Sequence, residues 1–80
     1  MFKFYINFQY ADQIAKDDEG EDLPCLEAAE AAAIRAAREI LANNVKHASR
    51  DPLIAVFITN PDGLELARIA CKDILPEPLK

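Results

Sequence analysis

The strongest constraint on the fold is the strict alternation of the first ten residues. Phe2, Phe4, Ile6, Phe8 and Tyr10 occupy one parity, and Lys3, Tyr5, Asn7 and Gln9 the other. Successive side chains of a strand point to opposite faces, so the segment predicts a half-buried β-strand with a large apolar set on one side. Such a strand needs a cover. The stretch from about Cys25 to about His47 supplies one. Ala28, Ala29, Ala31, Ala32, Ala33, Ala36, Ala37 and Ala42 carry the highest intrinsic helix propensity. On a helical wheel Leu26, Ala29, Ala33, Ala37, Ile40 and Leu41 form one stripe, flanked by Ile34 and Val45, with Arg35, Arg38, Glu39 and Lys46 opposite. Pro24 marks the entry, because it pushes Leu23 out of the α region and its own fixed φ suits a helix start. The charges follow the helix dipole, with Asp22, Glu27 and Glu30 early and Lys46, His47 and Arg50 late.

Between strand and helix, Ala11 to Asp22 is polar and acidic and has room for a short second strand near Gln13 to Lys16. After a turn at Ser49-Arg50-Asp51-Pro52, Leu53 to Thr59 is β-branched and apolar on both parities, as expected of a central strand. Asn60-Pro61-Asp62-Gly63 is a turn signal, with a fixed φ at Pro61 and access to positive φ at Gly63. Leu64 to Ala70 then returns as the hairpin partner. The expected fold is a single α+β domain over residues 1–75, a two-layer arrangement of one long Ala-rich helix on a three- to four-stranded, mainly antiparallel sheet. Pro76 and Pro78 leave 76–80 as a loose tail.

Charge and size limit the functions available. The chain has 80 residues, 14 acidic against 9 basic, and a net charge near −5. With no basic stripe, it offers nucleic acid no electrostatic footprint, and an anionic membrane is equally excluded as a partner. No apolar run approaches the roughly 18 residues of a membrane span, and Lys3, Asn7 and Gln9 break up any signal-type segment, so the expected location is the cytoplasm.

Chemistry-bearing residues are sparse. Two cysteines, Cys25 and Cys71, and one histidine, His47, cannot furnish a zinc set or a disulfide framework. Both cysteines read as reduced, small apolar residues. A thiol at Cys25 would gain from a helix start, but Glu21, Asp22 and Glu27 oppose ionisation. The run Asp17-Asp18-Glu19-Gly20-Glu21-Asp22 concentrates carboxylates around a glycine, yet its spacing departs from the EF-hand pattern and reads as a solvated turn. His47 suits the carbonyl end of the helix. Ser49 and Thr59 have no base at a recognisable spacing. The expectation is a protein that is not an enzyme and carries no metal and no cofactor.

Several of these segments together resemble a known family. The aromatic strand Lys3-Phe4-Tyr5-Ile6-Asn7-Phe8, the turn Asp17-Asp18-Glu19-Gly20, the helix start Leu23-Pro24-Cys25-Leu26-Glu27-Ala28-Ala29 and the late Asp62-Gly63 are similar to R-Y-F-F-H-L, D-E-E-G, L-P-D-L-E-A-A and D-x-G in a family of short proteobacterial proteins classed as a domain of unknown function. Asn7 stands where that family usually has histidine, and Cys25 where it usually has the aspartate that caps the helix. The resemblance implies the fold and carries no activity.

What remains is a surface. If Ile54, Val56 and Ile58 face the helix, then Leu53, Ala55 and Phe57 join Tyr5 on the other face of the sheet, which one helix cannot cover. These four residues are the candidate interface of a homodimer. A competing cover is the C-terminal segment with Ile74, Leu75 and Leu79. The leading functional expectation is a non-enzymatic protein-interaction or homodimerisation module. The alternative is a small acidic regulator, resembling antitoxins, that binds a basic protein partner.

Overall fold

The structure, a computed structural model, describes residues 1–47 and 52–74, with the side chains of 43–47 outside that description. The expected tail at 76–80, Leu75 and Leu79 as a cover, and any role of Ser49 or of the His47 side chain lie outside the described residues. Five strands and one helix follow in the order β1 (Phe2–Tyr10), β2 (Ile14–Ala15), β3 (Glu21–Leu23), α1 (Leu26–His47), β4 (Leu53–Thr59) and β5 (Glu65–Ala70), ending in a 3₁₀ turn at Cys71–Asp73. The sheet is antiparallel, in the order β2-β1-β4-β5, with β3 also paired to β1. This is the α+β arrangement expected, with one strand more than the three or four foreseen.

The additional strand is β3. Phe8 faces Ala15 and Phe4 faces Glu21, so β2 and β3 accompany β1 in turn, and 16–20 loop out opposite 5–7. Glu21 and Asp22 are poor strand formers, and it is the open backbone of β1 that recruits them.

Helix α1 lies chiefly across β4. Ala29, Ala33 and Ala37 are fully buried against Phe4, Leu53, Val56 and Ile58, with Cys71 and Ile74 closing the same core. Alanines at that spacing let the helix axis approach the sheet closely. Cys25 is the N-cap: its carbonyl accepts from Ala29 N–H at 3.2 Å, one residue before the first helical position.

Two bulges reset the side-chain parity. Gln9 faces Ala55 but Tyr10 faces Leu53, leaving Ile54 without a partner. The inserted residue turns Leu53 to the helix side, where it is 4% exposed, and leaves Ile54 48% exposed. The expected placement of Leu53 on the opposite face and of Ile54 in the core is thereby corrected. Ile58 faces Ala67 while Thr59 faces Glu65, so Leu66 is the inserted residue in β5. Ile74 is likewise corrected. The 3₁₀ turn, closed by Ile74 N–H on Cys71 O at 3.0 Å, directs it into the helix-side core rather than over the opposite face.

Candidate functional site

Cross-strand neighbours share a face, so the register orders the uncovered side of the sheet into rows. Tyr5 sits beside Thr59 and Glu65; Asn7 beside Phe57 and Arg68; Gln9 beside Ala55 and Ala70. Of the four residues expected to form an interface, Tyr5, Ala55 and Phe57 are therefore on this face and Leu53 is not. Tyr5 and Phe57 both line a concavity of about 310 Å³ between the 16–20 loop and the Asn60–Gly63 turn, with Asn7 and Thr59 at its base and Lys16 and Asp18 at its rim.

The base is rigid because Asn7 is 4% exposed and fully engaged. Its Nδ2 donates to Tyr5 O (3.2 Å), Phe57 O (3.3 Å) and Thr59 Oγ1 (3.2 Å), and its Oδ1 accepts from Asp17 N–H (3.0 Å). A buried amide that lacks such partners costs free energy, so burial and bonding arrive together. Sequence reading placed Asn7 only on the parity of β1 opposite the apolar set. No pattern in the chain reveals that a loop folds over it.

Asp17 fastens that loop. Its Oδ2 accepts from Ile6 N–H (3.2 Å), a strand amide left open where 16–20 leave the sheet, and its Oδ1 accepts from Glu19 N–H (3.1 Å) and Gly20 N–H (3.0 Å). Burial pushes the carboxyl up, but the amides of Gly20, Ile6 and Glu19 together outweigh it and hold the group below the usual carboxylate range. Gly20 takes φ +76°, and a Cβ there would lie 2.9 Å from Lys3 Cγ and 3.1 Å from Tyr5 Cε2, so both conformation and space require glycine. The acidic run read as a solvated turn is in part a side-chain clamp on the edge of β1.

The rest of the face is polar. Arg68 Nε and Nη2 donate to Glu65 Oε2 (3.2 Å) and Oε1 (2.8 Å), its Nη1 donates to Gln9 Oε1, and the guanidinium lies 4.7 Å from the Phe57 ring centroid. Arg68 thus lies over Phe57 in a cation–π contact. Its hydrogen bond and charge pull the Glu65 carboxyl down, and Glu65 in turn raises Arg68.

On the helix side an open groove of about 510 Å³ separates α1 from the β1–β2 edge. Ile6, Phe8 and Ala15 line it opposite Ala32 and Ala36, with Arg35 on its rim. The helix is too narrow to roof β1 as well as β4. Cys71 is buried, which pushes its thiol up. Cys25 is exposed. Among the described residues no group of His, Cys, Asp and Glu is placed to hold a metal ion, and no helix is long and apolar enough to cross a membrane.

A family model described as Domain of unknown function (DUF6894) matches residues 3–72. The chain belongs to this family. The match runs from Lys3 in β1 to Lys72 in the 3₁₀ turn, so DUF6894 takes in the Asn7–Asp17 clamp, the concavity and all of the five-stranded sheet but Phe2. No curated protein and no solved structure matches the chain.

Proposed function

We propose that this DUF6894 domain is a non-enzymatic protein-interaction module that works by self-association, as a homodimer in the cytoplasm. The observation that carries the reading is the unequal treatment of the two sheet edges. On one side β1 is closed by short strands and the Asp17 clamp. On the other, β5 ends the sheet order, and no described strand pairs with its outer side. Open edges invite pairing, and proteins that stay monomeric usually blunt them. Two unpaired cysteines fit a reducing compartment. Light scattering on the full chain at high micromolar concentration is expected to return twice the monomer mass; a monomer would refute the reading.

A second reading draws on the exposed carboxylates Asp18, Glu19, Glu21 and Asp22. They support a small acidic regulator that receives a basic protein partner. Its expected signature is complex formation that weakens steeply with salt, measured against a basic protein co-purified with the chain, as long-range attraction between exposed charges is screened.

A further inference from the structure

The surface through which two copies meet follows from β5 itself. Leu64, in the turn that leads into β5, is 62% exposed and Leu66, within β5, is 37% exposed, and no described strand pairs with the outer side of β5. The bulge at Leu66 places Glu65, beside Thr59, and Arg68, beside Phe57, on the same face of the sheet. In a regular strand two residues three apart would point to opposite faces. The bulge therefore makes the edge self-complementary in charge. Resting on the self-association reading, we infer that two copies join by antiparallel pairing of their β5 edges about a two-fold axis between Leu66 and Ala67. Glu65 of each copy then lies opposite Arg68 of the other, and Leu66 opposite Ala67.

The occupant is a second copy rather than an unrelated extended peptide for two reasons. An antiparallel pair of identical strands brings both charge pairs together at once, turning each internal Glu65–Arg68 ion pair into half of a four-charge network. The arrangement also closes. Once the β5 edges are consumed, the remaining edges belong to β2 and β3, which are two and three residues long, so growth stops at a dimer instead of running into a fibre. The paired sheets keep their uncovered faces in one plane, leaving both concavities at Tyr5 and Phe57 free.

The test mixes wild type with the double variant Glu65→Arg/Arg68→Glu and reads homodimers and mixed dimers by native mass spectrometry. Every chain in the mixture keeps an internal ion pair, direct or reversed. The double variant gives up the Arg68 contacts with Phe57 and Gln9, and its own homodimer is the control for that loss, so the mixed share reads pairing between copies. Each protein alone is expected to dimerise. In the mixed dimer Glu65 meets a glutamate and Arg68 an arginine, so its share is expected to fall about fivefold or more below the roughly one-half that indifferent surfaces give. A mixed share near one-half overturns the β5 interface while self-association stands, as does a monomeric Phe57→Glu protein, which would assign the contact to the uncovered face. A wild-type monomer overturns both. Leu66→Lys covers the case in which the double variant does not fold. It is expected to be a folded monomer, and a Leu66→Lys dimer overturns the inference.

Discussion

Cys25 occupies a position where physical chemistry favours a different atom. Its carbonyl accepts the first bond of α1, yet a thiol is a weak acceptor for the amides of Glu27 and Ala28 in the first turn. Cys25→Asp supplies a carboxylate oxygen at that point and adds a negative charge at the positive end of the helix. The variant is expected to be more stable by roughly 0.5–1 kcal/mol in chemical denaturation. An unchanged or lowered midpoint would mean that a free cap oxygen gains nothing in this helix start. Cys25 was legible from sequence because proline followed by an alanine run locates a helix entry within a residue or two. Asn7 was not, since its role depends on a loop ten residues further along the chain, and local pattern carries no trace of that contact.

The 16–20 loop depends on ionisation as well as on shape. Asp17 has its folded pKa depressed by the amides that it accepts. The stability it contributes is therefore present above the ordinary carboxylate pKa and is lost as pH falls through the folded value, when a proton takes one of the acceptor oxygens. Denaturation midpoints of wild type and Asp17→Ala are expected to differ at neutral pH, to draw together as pH falls below the ordinary carboxylate range, and to converge only beneath the depressed folded value, where both states bind the proton. A gap that stays constant into acid would show the clamp to act by packing alone. The elements themselves were largely readable. Alternation located β1, propensity and a proline located α1, and the Asn60 turn located the hairpin. Here Asn60 Oδ1 accepts from Asp62 N–H and Leu64 N–H, each at 2.9 Å. The bulge at Ile54 was hidden because a strand apolar on both parities looks the same before and after a one-residue slip. In β5 the odd spacing of Glu65 and Arg68 was the trace that the Leu66 bulge left in the sequence. One inserted residue moved Leu53 from the proposed interface into the core.

At the scale of the whole molecule, a chain of 80 residues folds with little in reserve, because small domains bury a lesser fraction of their surface. The composition sharpens this. Three of the fully buried core side chains are alanines, and among the larger described residues only Val56 and Ile58 are completely enclosed, so the helix sits close but removes little apolar area from water per residue. The shortest principal extent is 15 Å, enough for one sheet and one helix and no third layer. In such a domain a partner copy is also a source of stability, since whatever binds the folded state and not the unfolded one shifts the equilibrium by mass action. Thermal unfolding is therefore expected to depend on protein concentration. With two chains sharing the association free energy, each tenfold rise should lift Tm by about 3–5 °C. Leu66→Lys, which would remove the proposed edge contact, should abolish the dependence and return the Tm of dilute wild type at every concentration. Scans across about two decades of concentration would decide the matter. A wild-type Tm that does not move places all of the stability within the single chain, and the alanine-lined core then holds the fold unaided.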